Sequence, residues 1–276
     1  MISIMIKKIM SGGQTGADRS ALDVAIKYNL DHGGWVPKGR KAEDGVLPSK
    51  YAMDEMETAG YPERTRQNVT DSQGTLIISY GPLTGGSKLT LGYARAMGKP
   101  SCYIDLIATE AFEAALIAQS FVLENQIRVL NVAGPRLSNF PGIYQDVKII
   151  LETMLFLLYS DSHADDFFKD CLPTGPVHEA FPLSMEDALA LLKEDLPLKT
   201  KTGIARARTQ DIPGLYFSLL YYLRRRLGFD SQNSILLEQC RQLLNDDAVT
   251  IEDAVMEILK QLKKSLEDQY RLRVVK

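Results

Sequence analysis

The sequence has few of the residues that build covalently linked or metal-centred scaffolds. It contains three cysteines, three histidines and one tryptophan in 276 residues. Cys102, Cys171 and Cys240 are too far apart along the chain to form a disulfide framework or a zinc-binding spacing. Because unpaired cysteines are typical of a reducing compartment, we expect a cytoplasmic protein with no metal site of its own.

Strong charge and long apolar runs are also missing. The formal net charge is −3. This argues against a protein whose main role is to bind nucleic acid, since such proteins usually carry an excess of basic residues. No apolar run approaches the ~20 residues that a membrane-spanning helix requires. We therefore expect neither a membrane nor nucleic acid as a partner. At ~150 residues per domain, the chain length predicts two domains.

Strand and helix patterns alternate through the N-terminal half. Five apolar segments are typical of buried strands: Ile2–Met10, Gly33–Val36, Gly74–Tyr80, Ser101–Leu106 and Ile127–Val132. Helical patterns follow four of them: Ala17–Asn29, Gly85–Met97, Glu110–Leu123 and Ile143–Tyr159. Such alternation implies parallel strands joined by helical crossovers. The sequence therefore predicts an α/β fold, a doubly wound Rossmann-like parallel sheet, over residues 1–159.

The character of the sequence changes after this domain. Residues 160–182 contain a Pro-Thr-Gly-Pro run and little periodicity, which is typical of a linker. From residue 183 onward only helical patterns occur, with N-cap signals at Ser184 and Thr250, each followed three residues later by an aspartate. We therefore predict a second, smaller all-α domain over residues 183–276.

Two glycine-rich turns follow predicted strands. The first, Ser11–Asp18, reads SGGQTGAD, and the second, Thr84–Lys88, reads TGGSK. Glycine lets the backbone approach an anion closely, and the N–H groups and dipole of a helix N-terminus stabilise negative charge. Since both turns fall at the carboxyl edge of one sheet, they predict a cleft for a phosphate-bearing ligand. The alternative for each is a tight turn without a ligand. Neither turn matches GxGxxG or the P-loop, so a dehydrogenase or kinase is not supported.

Polar segments beside these turns offer further ligand groups. Pro37–Ser49 is a long polar connection, which we interpret as a functional loop where Lys38 and Arg40 bridge phosphate oxygens. The segment RTRQNVTDS, which contains Asn68, is dense in hydrogen-bonding side chains and leads into the third strand. Arg136 follows the last strand beside small residues. A solvated loop and ordinary turn chemistry are the alternative interpretations.

No nucleophile paired with a base stands out. His32, His163 and His178 lie in contexts typical of surface or internally satisfied side chains. Asp18 and Asp71 are the best candidates for a general base, although Asp18 also fits a first-turn residue that stabilises a helix dipole. Catalytic residues stay unassigned, and the sequence favours binding over catalysis.

Several motifs in a fixed order resemble a known family. SGGQTGADRSALD, GGWVPKGRKAEDG, RTRQNVTDSQGTLIIS, LTGGSKLT and LNVAGPR together resemble the molybdenum cofactor carrier family over about residues 7–158. The resemblance implies a Rossmann-like fold related to Lonely Guy type nucleotide phosphoribohydrolases and DprA-like proteins, often found as oligomers. The C-terminal helices resemble a small helical domain of unknown function in bacterial proteins.

The resemblance implies that the protein carries molybdenum cofactor, a pterin with a terminal phosphate, as cargo. The turn chemistry and the matching motifs together point to these ligand-binding residues: Gly12, Gly13, Gln14, Thr15, Gly16, Lys38, Arg40, Asn68, Thr84, Gly85, Gly86 and Ser87. The phosphoribohydrolases carry a PGGxGTxxE turn whose glutamate works in N-glycosidic cleavage. This chain reads LTGGSKLTLG and has no acid at the corresponding place.

Binding of a phosphate-bearing small molecule, by a carrier or a sensor, is therefore the leading hypothesis. The ligand is molybdenum cofactor or a nucleotide-like molecule. One alternative is a nucleotide N-glycosidase or phosphoribohydrolase, and another is a nucleotide-sensing interaction protein. We expect a homo-oligomer whose helical domain contacts a protein partner.

Overall fold

The computed structural model describes residues 6–160, 181–208, 211–231 and 233–270. It divides the chain into two compact units, Met1–Leu158 and Tyr159–Lys276. The predicted linker over residues 160–182 lies almost wholly outside the described residues. None of the described helices combines the length and apolarity needed to cross a membrane.

The first unit contains both strands and helices. In chain order they are β1 (Lys8–Met10), α1 (Ala17–Lys27), β2 (Asp31–Gly33), β3 (Trp35–Val36), β4 (Lys41–Ala42), β5 (Gly45–Val46), β6 (Asp54–Glu55), α2 (Tyr61–Asp71), β7 (Gly74–Ser79), α3 (Gly85–Ala96), β8 (Ser101–Asp105), α4 (Ala111–Glu124), β9 (Val129–Ala133) and α5 (Ile143–Ser160).

Five of the strands form a parallel sheet in the order β2-β1-β9-β7-β8. All six residues of β7 are buried, so helices cover both faces of the sheet at this strand. Leu76, Ile77 and Ile78 have no exposed surface, as expected for a strand in the interior of a doubly wound sheet. The predicted α/β fold is confirmed.

The second predicted strand divides in two. Gly34 has a φ of +128°, and a Cβ there would lie 2.2 Å from the carbonyl oxygen of Ser11. The chain therefore leaves the main sheet at this residue. β2 stays beside β1, whereas β3 pairs with β6 in a separate two-stranded ribbon. The predicted first strand shortens to Lys8–Met10 within the described residues.

Two segments expected to be irregular have regular structure. The polar run before β7 is the helix α2, which begins with a proline in its first turn, where a missing N–H costs nothing. The loop predicted over Pro37–Ser49 contains an antiparallel hairpin in which Lys41 pairs with Val46. We call Lys41–Val46 the β4–β5 hairpin below.

The second unit is helical throughout its described elements. They are α6 (Met185–Asp195), α7 (Leu198–Arg206), α8 (Ile212–Arg226), a 3₁₀ turn (Phe229–Ser231), α9 (Ser234–Leu244) and α10 (Ile251–Tyr270). Ser184 caps α6 by accepting the Asp187 N–H at 3.1 Å, and Thr250 accepts the Asp253 N–H at 3.3 Å. Both predicted caps and the predicted all-α character of this region are confirmed.

Candidate functional site

Three loops meet at the carboxyl edge of the main sheet. Because β9 lies between β1 and β7, the loop after β9 adjoins the turns after both neighbours. The Ala17 N–H donates to the Pro135 carbonyl at 3.3 Å. A Cβ at Gly16 would lie 2.6 Å from that same oxygen. The first glycine turn is therefore packed directly against the loop that carries Arg136.

The first glycine turn is filled by its own chain. Every residue from Ser11 to Asp18 is buried. A Cβ at Gly12 would overlap the Arg64 guanidinium at 1.3 Å, and one at Gly13 would lie 2.8 Å from Leu47 Cδ2. Glycine is required at both positions because neighbouring side chains occupy the space that a Cβ would need.

An internal carboxylate occupies the anion position of this turn. Asp18 Oδ2 accepts the Gln14 N–H at 3.3 Å and lies 3.6 Å from Arg64 Nη1. Burial raises the pKa of the Asp18 carboxyl, while Arg64, the Gln14 N–H and Arg136 act against that shift. The position where the sequence predicts a bound anion is thus filled by a carboxyl group of the protein itself.

Gln14 and Thr15 fasten the β4–β5 hairpin over the turn. Gln14 Nε2 donates to the Lys41 carbonyl at 3.2 Å, and the Glu43 N–H donates to Gln14 Oε1 at 3.1 Å. The Thr15 hydroxyl donates to the Glu43 carboxylate. Arg19 forms a bidentate ion pair with Asp44, with both N···O distances at 3.1 Å. In this arrangement both predicted ligand residues serve as anchors for the hairpin.

The Arg40 side chain forms hydrogen bonds with the backbone of the loop that follows it. Its guanidinium donates at 2.9–3.3 Å to four carbonyl oxygens, those of Leu47, Pro48, Tyr51 and Met53. Arginine has five N–H donors, so little of this side chain remains for a ligand. Lys38, two residues earlier, is exposed.

Asn68 bridges α2 and β3. Its side-chain oxygen accepts the Trp35 N–H at 2.7 Å, and its side-chain nitrogen donates to the Trp35 carbonyl at 3.2 Å. The residue is 3% exposed. These two bonds imitate a strand ladder and hold the chain where it leaves the main sheet.

The second glycine turn is open. Thr84, Gly85 and Gly86 are exposed, and a Cβ at either glycine would meet nothing within 4 Å. Gly85 has a φ of +49°. The Thr84 side chain does not cap α3, and the first N–H groups of a helix have no partner within it. This turn therefore presents backbone donors and the positive end of a helix dipole to solvent.

Two arginines share one aromatic ring at the same edge. The guanidinium carbon of Arg136 lies 5.1 Å from the Tyr61 ring centre, and that of Arg64 lies 6.0 Å from it. Burial lowers the pKa of Arg64, and Asp18 raises it, while Arg136 lowers it further. Among the described residues, Arg64 Nε is buried without a hydrogen-bond partner. Asp18 pairs with Arg64, and the charge of Arg136 acts on the Glu43 carboxylate.

This cation pair and the open turn lie at the same end of two neighbouring helices. Thr70 Oγ1 contacts Met97 Sδ at 3.7 Å, which joins the C-terminal ends of α2 and α3. The helices have 11 and 12 residues, so their lengths at 1.5 Å per residue are nearly equal. Since one precedes β7 and the other follows it, both run opposite to that strand. Their N-terminal ends therefore face the carboxyl edge together.

The carboxylates offered by the sequence as general bases have structural partners. Asp18 is paired as described above. Asp71 accepts the indole N–H of Trp35 at 2.6 Å and the Gln67 amide at 2.9 Å. His32 Nε2 accepts the Ala52 N–H at 3.1 Å. Within the ranges that the structure describes, no three His, Cys, Asp or Glu side chains are grouped to hold a metal ion.

Sequence reasoning missed Tyr61 and Glu43. Tyr61 is the first residue of α2, and the proline after it is the signal that identifies a helix start. No local signal identifies Glu43, because its partner Thr15 is 28 residues away in the chain.

Comparisons with known proteins match the first unit. Residues 9–155 match the Circularly permutated YpsA SLOG family. The crystal structure of the Putative molybdenum carrier protein from Syntrophus aciditrophicus SB is 52% identical, with a TM-score of 0.54, over 54% of this chain and 95% of that chain. No curated protein matches the chain. The resemblance to molybdenum carriers inferred from the motifs is confirmed.

Proposed function

The chain belongs to the circularly permuted YpsA SLOG family, and from this membership we propose that its first unit binds a phosphate-bearing small molecule. Family membership suggests ligand binding in general. The phosphate group and its position are our proposal. The protein acts as a carrier or sensor, because the acids that could serve as a base, Asp18 and Asp71, are engaged in structural contacts.

One observation carries the proposal: α3 begins at an open, uncapped glycine turn. The free N–H groups and the dipole there are equivalent to roughly half a positive charge, which favours a phosphate at a helix N-terminus. The open space at Gly85 and Gly86 lets a ligand approach the backbone closely. In this proposal Arg136 and Arg64 supply the balancing charge, and the Tyr61 ring lies against the ligand.

For the identity of the ligand we propose molybdenum cofactor as cargo. The similar crystal structure carries the name Putative molybdenum carrier protein. Molybdenum cofactor is a pterin with a terminal phosphate, which suits the helix N-terminus. A nucleotide-like molecule has the same phosphate chemistry and is the competing ligand.

Native mass spectrometry tests the proposal. The full chain is incubated with molybdenum cofactor, its metal-free pterin and common nucleoside monophosphates, and retained masses are recorded. We expect retention of the pterin species by wild type and by Gly86→Ala, and its loss in Gly86→Asp, since a carboxylate there repels phosphate in open space. Equal retention by Gly86→Asp would exclude this turn as the site. Selective retention of a nucleotide would replace the cargo while leaving the site in place.

A further inference from the structure

A carboxylate from the protein's own hairpin occupies a cluster of donors beside the proposed site. Glu43 Oε1 accepts the Thr15 hydroxyl and the Ser138 N–H, the latter at 3.3 Å, and Oε2 accepts the Ser138 hydroxyl at 2.6 Å. The donors come from the turn after β1 and the loop after β9. Three donors from two separate loops thus converge on one oxyanion.

The cluster is oriented toward an anion by its own hydrogen bonds. The Leu137 N–H donates to Thr15 Oγ1 at 3.2 Å, so the hydroxyl hydrogen of Thr15 points away from that amide. Burial alone raises the pKa of Glu43, but hydrogen bonds from Ser138 and Thr15, with the charge of Arg136, hold it below its ordinary value. Hydroxyl and backbone N–H donors beside a guanidinium charge are also the set that binds a phosphate group.

The carboxylate belongs to an exposed hairpin. Glu43, Asp44 and Gly45 are exposed, and Val46 is 72% exposed. The hairpin is fastened by the Gln14 bonds and by the Arg19–Asp44 pair, whose carboxylate is 47% exposed. Exposed ion pairs contribute little to stability.

We propose that Thr15, Ser138 and Arg136 form a second oxyanion-binding position, and that Glu43 is a tethered occupant which a solute phosphate group displaces as the β4–β5 hairpin opens. This position is built from the turn after β1 and the loop after β9, whereas the open turn follows β7. It goes beyond the proposed function and does not use the open turn, although both positions draw on the charge of Arg136. A phosphate group carries more negative charge and more acceptor oxygens than a carboxylate, so it can engage the same donors more strongly.

The test measures inorganic phosphate binding to the ¹⁵N-labelled full chain through the amide signal of Ser138. We compare wild type with Glu43→Gln, which removes the competing charge and keeps the shape. The matched control is Asp44→Asn, which removes a neighbouring charge from the same hairpin, breaks only an exposed ion pair and leaves Glu43 in place. We expect Glu43→Gln to bind phosphate about tenfold more tightly than wild type, and Asp44→Asn to change affinity by less than about twofold.

A double variant and an exchange measurement complete the test. Ser138→Ala in the Glu43→Gln background should abolish the gain, because it removes one donor. In wild type, phosphate should speed amide hydrogen exchange over residues 41–46. Equal affinities in wild type and Glu43→Gln, or absence of phosphate binding at Ser138 in both, would overturn the inference. Gly86→Asp, measured in parallel, separates this failure from failure of the proposed function.

Discussion

The two glycine turns of this protein look alike in sequence and differ in structure. Both follow a parallel strand and begin a helix. In the first turn, neighbouring atoms occupy the space that a Cβ would need at Gly12, Gly13 and Gly16. The backbone N–H of Gln14, which could bind an anionic ligand, donates to Asp18 instead. In the second turn Gly85 and Gly86 face open space.

The difference shows that glycine has two separate uses at a strand-to-helix turn. It allows close packing of the protein against its own backbone, and it allows close approach of a ligand. Only the surroundings distinguish these uses. The glycines of the first turn therefore give structural support to the site, and the second turn is the proposed contact with the ligand.

The largest effect separates the two turns by stability. Gly16 has a φ of +77° and a position where a Cβ would lie 2.6 Å from the Pro135 oxygen. We expect Gly16→Ala to lower the free energy of unfolding of the first unit by about 4 kcal/mol through strain and overlap. Gly86→Ala should change it by less than about 1 kcal/mol. Urea unfolding followed by the fluorescence of Trp35, the one tryptophan, measures both. Equal losses would contradict the comparison.

The next effect contrasts two ion pairs of the first turn. Asp18 is 6% exposed and Arg64 is 13% exposed at the side chain, so Asp18→Ala leaves a buried cation without its partner. We expect Asp18→Ala to lower the free energy of unfolding by about 3 kcal/mol. Asp44→Ala breaks the exposed pair with Arg19 and should cost less than about 1 kcal/mol. The same urea measurement applies, and a loss for Asp44→Ala that matches Asp18→Ala would refute the assigned roles.

A smaller effect separates a structural arginine from a ligand-binding one. Arg40→Gln removes bonds to loop carbonyls, so we expect a loss of about 1–2 kcal/mol in stability and unchanged ligand affinity. Arg136→Gln should weaken binding of the retained ligand about tenfold, or ~1.4 kcal/mol, with stability nearly unchanged. Isothermal titration calorimetry on the folded variants decides between them. Weaker binding in Arg40→Gln alone would reverse the assignment.

The smallest effect concerns pH and the hairpin. The pKa of Glu43 is held below its ordinary value of 4.5. The contribution of its ionised carboxylate to the stability of the hairpin is therefore complete above pH 4.5, and it is lost as the pH falls through the lowered pKa. Because the side chain is exposed, we expect this contribution to stability to be less than about 1 kcal/mol. Hydrogen exchange of residues 41–46 should show wild type better protected than Glu43→Gln at neutral pH. A difference that persists well below the lowered pKa would contradict this explanation.

Much of the fold could be predicted from local sequence. Buried strands such as Gly74–Ser79 are continuous apolar runs, and the start of α3 follows from its glycines. The helix α2 could not be found by apolar periodicity, because Thr65, Asn68 and Val69 are its only buried residues among those described.

The distinction between the two turns could not be predicted at all. Arg64 covers Gly12 from 52 positions away in the chain, and Leu47 covers Gly13 from 34 positions away. These are tertiary contacts with no local signal. The predicted ligand roles of Arg40 and Asn68 stay predictions, and the structure gives both residues backbone partners instead.

One measurement tests the central claim most directly. A ¹⁵N-labelled full chain is titrated with the ligand retained in native mass spectrometry, and the amide shifts of the two turns are compared. We predict that the signals of Gly85, Gly86 and Ser87 move with a single dissociation constant while those of Gly12 and Gly13 stay in place. Shifts at Gly12 and Gly13 without shifts at Gly85 and Gly86 would contradict the account.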